Sequence, residues 1–519
     1  MNIQRAKQEI TNTVRAYLTK DDQGQYTIPA LRQRPILLMG PPGIGKTQIM
    51  EQVARDCGVA LVAYTITHHT RQSAVGLPFI RQRTYDGKDV SVTEYTMSEI
   101  IASVYETMEK TGLREGILFI DEINCVSETL APTMLQFLQA KRFGNQTVPA
   151  GWVIAAAGNP PEYNKSVRDF DVVTLDRVKR MDIEPDYPAF KAYARAARLY
   201  PAILAYLELH PDHFYQIQAD VDGTQFVTAR GWEDLSELLY TYQKLGISAD
   251  EQVVHQYLQH SRIAEDFAAY LDLYQKYQDD YGVEEILTGN APSTVFARLL
   301  RAPFDERLAL VSLLLSGLTG KFQQSAAAAA LADAAFEKIK LYHARLEETP
   351  AAPVLLEESL RPEGVPVRVL RELAEEEKED FARLLEAGLL DKEATATRRR
   401  LGALLGEWVH LLETENPENG EAALPLLKAQ FRPLADARTR AEDLAGAALE
   451  FAFDFMEEAF GTGQELVVFV TELTLSPLAQ QYITENGCDR YFDYNRTLLL
   501  DSRRAALQSE LAKDELRNL

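Results

Sequence analysis

The sequence predicts an α/β fold in which a doubly wound parallel sheet is followed by helical regions. Two observations support this fold class. Short apolar runs alternate with helix-compatible stretches up to about residue 183, as in parallel strands joined by helices. Beyond about residue 188, apolar and aromatic residues recur at helical spacing. We therefore expect an α/β core at residues 1–187, an all-helical lid domain at 188–320 and a helical C-terminal extension at 321–519, with the boundary near residues 347–366.

The elements of the predicted core follow from apolar spacing and from turn residues. A helix with Ile3, Ile10 and Val14 on one face precedes the first strand. An insertion at residues 76–95 separates the second strand from the third, and residues 85–88 are predicted to form a hairpin tip. The five predicted strands of the sheet are Ile36–Met39, Ala60–Ile66, Ile117–Ile120, Trp152–Ala157 and Arg180–Ile183.

The loop after the first predicted strand matches the pattern GxxxxGK[ST]. Its glycines let backbone N–H groups turn towards a phosphate, its lysine adds a positive charge, and its last hydroxyl can bind Mg²⁺. A glycine-rich turn can match this pattern by chance, but the strand before it and the helix after it favour a phosphate-binding loop. The predicted residues for binding a nucleoside triphosphate are Gly40, Pro41, Pro42, Gly43, Ile44, Gly45, Lys46, Thr47 and Gln48.

Two carboxylates follow the third predicted strand. The apolar residues 117–120 lead directly into Asp121 and Glu122. A buried parallel strand delivers such residues at its C-terminal edge, where open α/β sheets bind their ligands. We expect Asp121 to hold Mg²⁺ and Glu122 to orient and deprotonate an attacking water. The alternative is a strand that ends in solvated acids, which the phosphate loop upstream makes the weaker interpretation.

Four further polar residues that could take part in phosphoryl transfer follow along the chain. Asn159 ends the fourth predicted strand and can hydrogen-bond water or the γ-phosphate, although an Asn-Pro pair alone usually marks a turn. Arg177 and Arg180 lie just before and at the start of the fifth strand, and either can reach the γ-phosphate of a neighbouring subunit. Arg230 lies near a helix start, where it can face the nucleotide. Taken alone, Arg177 and Arg180 are better explained as solvated surface residues, and the alternative for Arg230 is an ordinary arginine near a helix N-terminus.

Together these elements resemble the AAA+ ATPases and, within them, the MoxR-like branch, over about residues 30–290. The segment Lys141–Gly151 is shorter than the hairpin of many relatives, which leaves open how a substrate is gripped. The resemblance implies Walker A roles for Lys46 and Thr47, Walker B roles for Asp121 and Glu122, sensor 1 at Asn159, the arginine finger at Arg177 with Arg180 as its rival, and sensor 2 at Arg230.

The resemblance also implies a biochemical role. We expect Mg²⁺-dependent ATP hydrolysis by a homo-oligomeric ring, a hexamer, that remodels or matures a protein client, alongside a possible partner with a von Willebrand factor A domain. A nucleic-acid motor and a nucleotide-dependent assembly switch remain alternatives. The net charge of −23, from 77 acidic and 54 basic residues, disfavours nucleic acid, which binds through basic tracks. The pore of such a ring is hypothesised to lie near Tyr85 and Phe143, with ordinary turn aromatics as the alternative.

Composition sets the remaining expectations. The N-terminus is polar and charged, without the apolar core of a secretory signal. The longest apolar stretch, near Leu308–Leu318, is too short to span a bilayer, so we expect a cytoplasmic protein without a membrane span. The three cysteines are scattered without metal-binding spacing, and we expect reduced thiols and no metal other than Mg²⁺.

Overall fold

The computed structural model describes residues 1–68, 71–143, 146–163, 170–220, 223–348 and 364–498. These residues form two compact units, which are described separately. Unit 1 consists of Met1–Ala189, Thr228–Arg230 and Glu376–Ala396. Unit 2 consists of Phe190–Val227, Gly231–Glu375 and the described part of Thr397–Leu519.

Unit 1 holds the α/β core. Its helices are α1 (Ile3–Leu18), α2 (Lys46–Cys57), α3 (Arg71–Val75), α4 (Glu99–Thr111), α5 (Ala131–Ala140) and α6 (Val172–Leu175). Its strands are β1 (Ile36–Met39), β2 (Ala60–Thr65), β3 (Pro78–Tyr85), β4 (Lys88–Tyr95), β5 (Gly116–Asp121), β6 (Arg142–Phe143), β7 (Gln146–Thr147), β8 (Trp152–Gly158) and β9 (Lys179–Asp182).

Five of these strands form one parallel sheet in the order β2-β5-β8-β1-β9. The last residue of β1, Met39, lies opposite Gly158 of β8 and Asp182 of β9. The loops that follow β1, β5 and β8 therefore leave the sheet at the same edge, the edge where open α/β folds bind ligands. The predicted parallel sheet is confirmed, with strand bounds close to those expected.

Apolar burial explains why these segments fold as they do. All seven residues of β8 and the first five of β5 are buried, as in parallel strands covered on both faces. Helix α1 buries Ile10 and Val14 completely. At the start of α1, the side chain of Asn2 accepts a hydrogen bond from the backbone N–H of Arg5 at 2.9 Å, which satisfies a helix-end donor. Among the described helices, none is long and apolar enough to cross a lipid bilayer.

The insertion after β2 contains the predicted hairpin. Strands β3 and β4 pair in antiparallel register around a two-residue turn in which Asp86 and Gly87 have φ of 51° and 74°. Tyr85 lies at the tip and is 53% exposed, so the pore hypothesis for this residue stays a prediction. The same hypothesis is wrong for Phe143, which is only 2% exposed and stacks on Phe137 with ring centroids 4.1 Å apart. Its ring belongs to the core of unit 1.

Helices dominate unit 2. Helix α7 (Tyr187–Ala196) leads into it from unit 1, and α9 (Ala229–Leu245) also begins in unit 1. The end of α15 (Val365–Glu386) and the beginning of α16 (Lys392–Glu415) belong to unit 1. The other helices of unit 2 are α8 (Pro201–Leu209), α10 (Glu251–Tyr257), α11 (Ser261–Tyr281), α12 (Val283–Leu287), α13 (Ser293–Leu299), α14 (Phe304–Glu348), α17 (Gly420–Phe460), α18 (Gln464–Leu475) and α19 (Pro477–Asn486).

The all-helical expectation for residues 188–320 is wrong at one place. Strands β10 (Gln216–Asp220) and β11 (Gly223–Val227) form an antiparallel pair between α8 and α9. Ile217 lies opposite Phe226, so apolar side chains pair across the two strands. The domain boundaries at residues 187 and 320 stay predictions, and α14 continues without a break through residue 320.

Candidate nucleotide-binding site

The loop after β1 has a backbone that favours glycine at three positions. Gly43 and Gly45 have φ of 72° and 90°, in the left-handed region that other residues rarely enter. A Cβ atom on Gly43 would lie 2.7 Å from Cβ of Thr228. A Cβ atom on Gly40 would lie 2.7 Å from the carbonyl oxygen of Ile183. The glycine spacing in the sequence therefore corresponds to a tight, closely packed turn.

This turn ends at the beginning of α2. Gly45 is the N-cap residue of α2 and provides no side-chain oxygen to cap the first backbone N–H groups of the helix. Such N–H groups, together with the positive end of the helix dipole, bind anions. The start of α2 fits a phosphate group because both features point towards the loop that precedes it.

Lys46 is held inside this loop. Its ammonium group donates hydrogen bonds to the carbonyl oxygens of Gly40 and Pro41, both at 2.8 Å, and to Oδ1 of Asn159 at 2.9 Å. Burial lowers the pKa of Lys46 to about 8, with the charge of Arg230 acting in the same direction and that of Asp121 opposing it. Lys46 therefore remains mostly charged at pH 7, in a position where an anion would favour the charged form further.

Thr47 and Asp121 meet across the loop and the sheet edge. The Thr47 hydroxyl donates a hydrogen bond to Oδ2 of Asp121 at 2.7 Å. Mg²⁺ prefers oxygen ligands and is usually bound through one or two protein oxygens together with phosphate oxygens of the substrate. This pair of oxygens fits that requirement, and Thr47 and Asp121 are the residues that would hold the ion. The structure thus brings together the two metal-binding residues expected from the sequence.

Glu122 begins a tight turn after β5. Its φ of 57° is unusual for a residue other than glycine, and its backbone N–H donates to Oδ1 of Asp121 at 2.9 Å. The next residue, Ile123, donates its N–H to the carbonyl oxygen of Ala157 at 2.9 Å. A left-handed conformation at such a residue costs about 1–3 kcal/mol and is typical of functional sites. The turn therefore ends the regular alternation of β5, in which successive side chains point to opposite faces, directly after Asp121.

Asn159 follows β8 and connects the site to a residue that sequence analysis did not single out. The side chain of Asn124 donates to the carbonyl oxygen of Asn159 at 2.7 Å and accepts from its N–H at 3.3 Å. Asn124 is only 4% exposed. The one signal for it in the sequence is a polar residue among apolar neighbours, two positions after Glu122.

Arg230 approaches the loop through its backbone. Its N–H donates to the carbonyl oxygen of Gly43 at 3.1 Å, and its side chain is exposed. Thr228, which packs against Gly43, was also absent from the sequence-based predictions. Residues 228–230 thus connect the start of α9 to the phosphate loop within unit 1.

The two candidate finger residues lie away from these contacts. The Arg177 guanidinium hydrogen-bonds Oε1 of Gln139, and Arg180 forms an ion pair with Asp182 at 2.8 Å. Both arginines are exposed. Among the described residues, no hydrogen bond or ion pair joins either one to the phosphate loop. This arrangement leaves the choice between Arg177 and Arg180 open.

Comparison with known families agrees with this geometry. Residues 36–175, a little over a quarter of the chain, match the family model described as "AAA: ATPase family associated with various cellular activities". The matched region begins with β1 and includes the phosphate loop, both carboxylates and Asn159. It supports an ATPase of the AAA+ type that binds ATP. No curated protein matches the sequence.

Proposed function

We propose that the protein is a Mg²⁺-dependent, ring-forming ATPase of the MoxR-like branch that remodels or matures protein partners. One observation carries the proposal: Lys46 and Thr47 of the phosphate loop contact Asn159 and Asp121, which lie at the ends of β8 and β5. These contacts assemble an anion-binding loop, a metal-binding pair and a polar residue at one sheet edge.

Each residue has a distinct role in the proposed reaction. Backbone N–H groups of residues 43–47 and the Lys46 ammonium bind the β- and γ-phosphates of ATP. A magnesium ion held by Thr47 and Asp121 would neutralise developing phosphate charge. Glu122 accepts a proton from the attacking water, while Asn159 positions that water or the γ-phosphate. Arg230 provides a further positive charge near the phosphates.

The proposal includes a second subunit. Arg177 and Arg180 are exposed and lie outside the contacts of their own phosphate loop, which fits an arginine that completes the site of a neighbouring copy. In a homo-oligomeric ring, proposed here as a hexamer, each copy would supply one finger and receive another.

Protein clients fit the charge of the chain better than nucleic acid does. A motor on nucleic acid needs basic groups that displace counterions from phosphates, whereas this chain has a net charge of −23. A client or adaptor protein, such as one with a von Willebrand factor A domain, is therefore the proposed partner. The exposed β3–β4 hairpin is a candidate contact for it, with Tyr85 at the tip.

ATP turnover by matched variants tests this proposal. Glu122→Gln is expected to bind ATP with little change and to lose hydrolysis by at least about 100-fold, because the base is gone while the phosphate loop is intact. Glu128→Gln, a change at an exposed acid six residues further along the chain, is the charge-matched control and should turn over normally. Hydrolysis at the wild-type rate by Glu122→Gln would contradict the assignment. Stimulation of wild-type turnover by single-stranded DNA would favour the nucleic-acid motor instead.

A further inference from the structure

Asn124 forms a reciprocal pair of hydrogen bonds with the backbone of Asn159. Its Nδ2 donates to the Asn159 carbonyl oxygen at 2.7 Å, and its Oδ1 accepts from the Asn159 N–H at 3.3 Å. Only one orientation of the carboxamide satisfies both bonds, since the reverse would place oxygen against oxygen and N–H against N–H. The two hydrogen bonds therefore hold the backbone of Asn159 at both its N–H and its carbonyl group.

The packing around Asn124 and Asn159 leaves little room for a side chain at position 158 or for competing water. A Cβ atom on Gly158 would lie 2.5 Å from Oδ1 of Asn124, so the residue before Asn159 has room for the carboxamide only as glycine. Asn124 itself is 4% exposed, which leaves little water to compete for its hydrogen bonds. Removing its side chain would leave the Asn159 backbone groups without these partners in a part-buried position.

The hydrogen-bonded pair of Asn124 and Asn159 connects the turn that contains the proposed base to the phosphate loop. Asn124 lies two residues after Glu122 in the turn that follows β5, and Ile123 anchors that turn to Ala157 of β8 at 2.9 Å. The other end of Asn159, its Oδ1, accepts a hydrogen bond from Lys46 at 2.9 Å. A continuous chain of hydrogen bonds thus runs from the turn of the proposed base, through Asn124 and Asn159, to the phosphate loop.

We propose that Asn124 is a positioning residue for ATP hydrolysis, which acts by holding Asn159 in line with Glu122 and the phosphate loop. This inference rests on the proposed function and extends it to a residue that does not itself touch the substrate. Small displacements of a positioned group cost up to about 100-fold in rate. Because Asn124 acts through Asn159, loss of either side chain should produce much of the same defect.

A double-mutant cycle on the full-length protein tests this role. Asn124→Ala, Asn159→Ala and the double variant are compared for kcat and for KM towards ATP with Mg²⁺. We expect Asn124→Ala to lower kcat about 10- to 100-fold and to change KM by less than about threefold. The double variant should be no more than about twofold slower than Asn159→Ala, since the two residues act as a unit.

Gln33→Ala is the matched structural control. Gln33 is 5% exposed, and its side chain donates two hydrogen bonds to backbone carbonyls, those of Tyr17 and Ile28, each at 2.9 Å. Its Oε1 also accepts a hydrogen bond from the Lys141 ammonium at 3.5 Å. Gln33→Ala therefore loses a set of bonds at least as large in the same unit, before β1 rather than after it, and kcat should stay within about twofold of wild type. An Asn124→Ala kcat equal to that of Gln33→Ala would overturn the inference. So would a double variant whose loss equals the product of the two single losses.

A conservative variant keeps the test open if Asn124→Ala does not fold. Asn124→Asp has the same size and can still accept from the Asn159 N–H, but it opposes the Asn159 carbonyl with a carboxylate oxygen. Its kcat should fall at least about 10-fold, and a wild-type kcat would overturn the positioning role. Absence of ATPase activity in the wild-type protein would contradict the proposed function itself and this inference with it. Wild-type turnover with an unaffected Asn124 variant would contradict only the inference.

Discussion

Lys46 shows how a buried charge is kept in the site. All three of its N–H groups have oxygen acceptors between 2.8 and 2.9 Å away, which offsets part of the cost of burial. One of these acceptors is the side chain of Asn159, so the lysine also connects the phosphate loop to β8. Substitution of Lys46 would remove both the positive charge and this connection.

The lowered pKa of Lys46 predicts that ATP binding takes up protons. With a pKa of about 8, the free side chain is about half protonated at pH 8, and a bound polyphosphate raises that pKa because it favours the ammonium form. Calorimetric titrations in buffers of different ionisation enthalpy should therefore show uptake of roughly half a proton per site at pH 8 and little at pH 6.5. A binding enthalpy independent of the buffer at pH 8 would contradict the lowered pKa.

At the scale of single residues, the sequence identified those with strong local patterns. Lys46, Thr47, Asp121 and Asn159 were predicted from the sequence, and the structure joins Lys46 to Asn159 and Thr47 to Asp121. Asn124 and Thr228 were not, because their importance depends on neighbours distant in sequence: Asn124 pairs with Asn159, and Thr228 packs against Gly43. No local pattern encodes such contacts, so only the folded chain reveals them.

The loop between β1 and α2 is the element on which nucleotide binding depends. Its conformation requires glycine at position 43 both for backbone torsion and for the approach of Thr228. Thr228 leaves no space for a methyl group at position 43. A substitution of Gly43 therefore tests the loop without changing any charged residue.

Gly43→Ala is expected to weaken ATP binding by at least about 10-fold and to destabilise the protein, because torsional strain and the clash with Thr228 act together. Gly24→Ala is the matched control: Gly24 has a φ of 76° but no atom within 4 Å of its Cβ position. It should cost only about 1–2 kcal/mol of strain and leave ATP affinity unchanged. Titrations with a fluorescent ATP analogue measure the affinities. Equal affinities for the two variants would show that the approach of Thr228 is unimportant.

Helices and strands could be predicted from the sequence where a periodic pattern extended over many residues or where a run was strongly apolar. β5 and β8 are apolar runs with few alternatives, and the β3–β4 hairpin has an Asp-Gly turn that favours positive φ. The hairpin of β10 and β11 was missed because its two strands lie among longer helical patterns. Its one signal is alternation, such as Gln216, Ile217 and Gln218.

At the scale of the whole molecule, the proposed ring explains why an exposed arginine would contribute to catalysis. A mixture of two inactive variants tests this arrangement. Arg177→Ala subunits retain Glu122, and Glu122→Gln subunits retain Arg177, so a mixed ring regains complete sites at interfaces between the two kinds. Random mixing should restore about a quarter of wild-type turnover if the finger acts on the neighbouring site.

The outcome of this mixing experiment distinguishes the two arginines. Absence of restored activity would contradict a finger supplied by the neighbour. Full turnover by Arg177→Ala alone would transfer the role to Arg180, whose guanidinium is paired with Asp182 in the structure. Sequence could not decide between them because the two arginines are only three positions apart, just before and within the same strand.

The most direct test of the central claim is a crystal structure of the protein with a non-hydrolysable ATP analogue and Mg²⁺. The account predicts the terminal phosphate between the loop of residues 43–47 and the carboxylates of Asp121 and Glu122, with the ion bound to the Thr47 hydroxyl. A nucleotide bound elsewhere, or a loop without phosphate at a saturating concentration of the analogue, would contradict it.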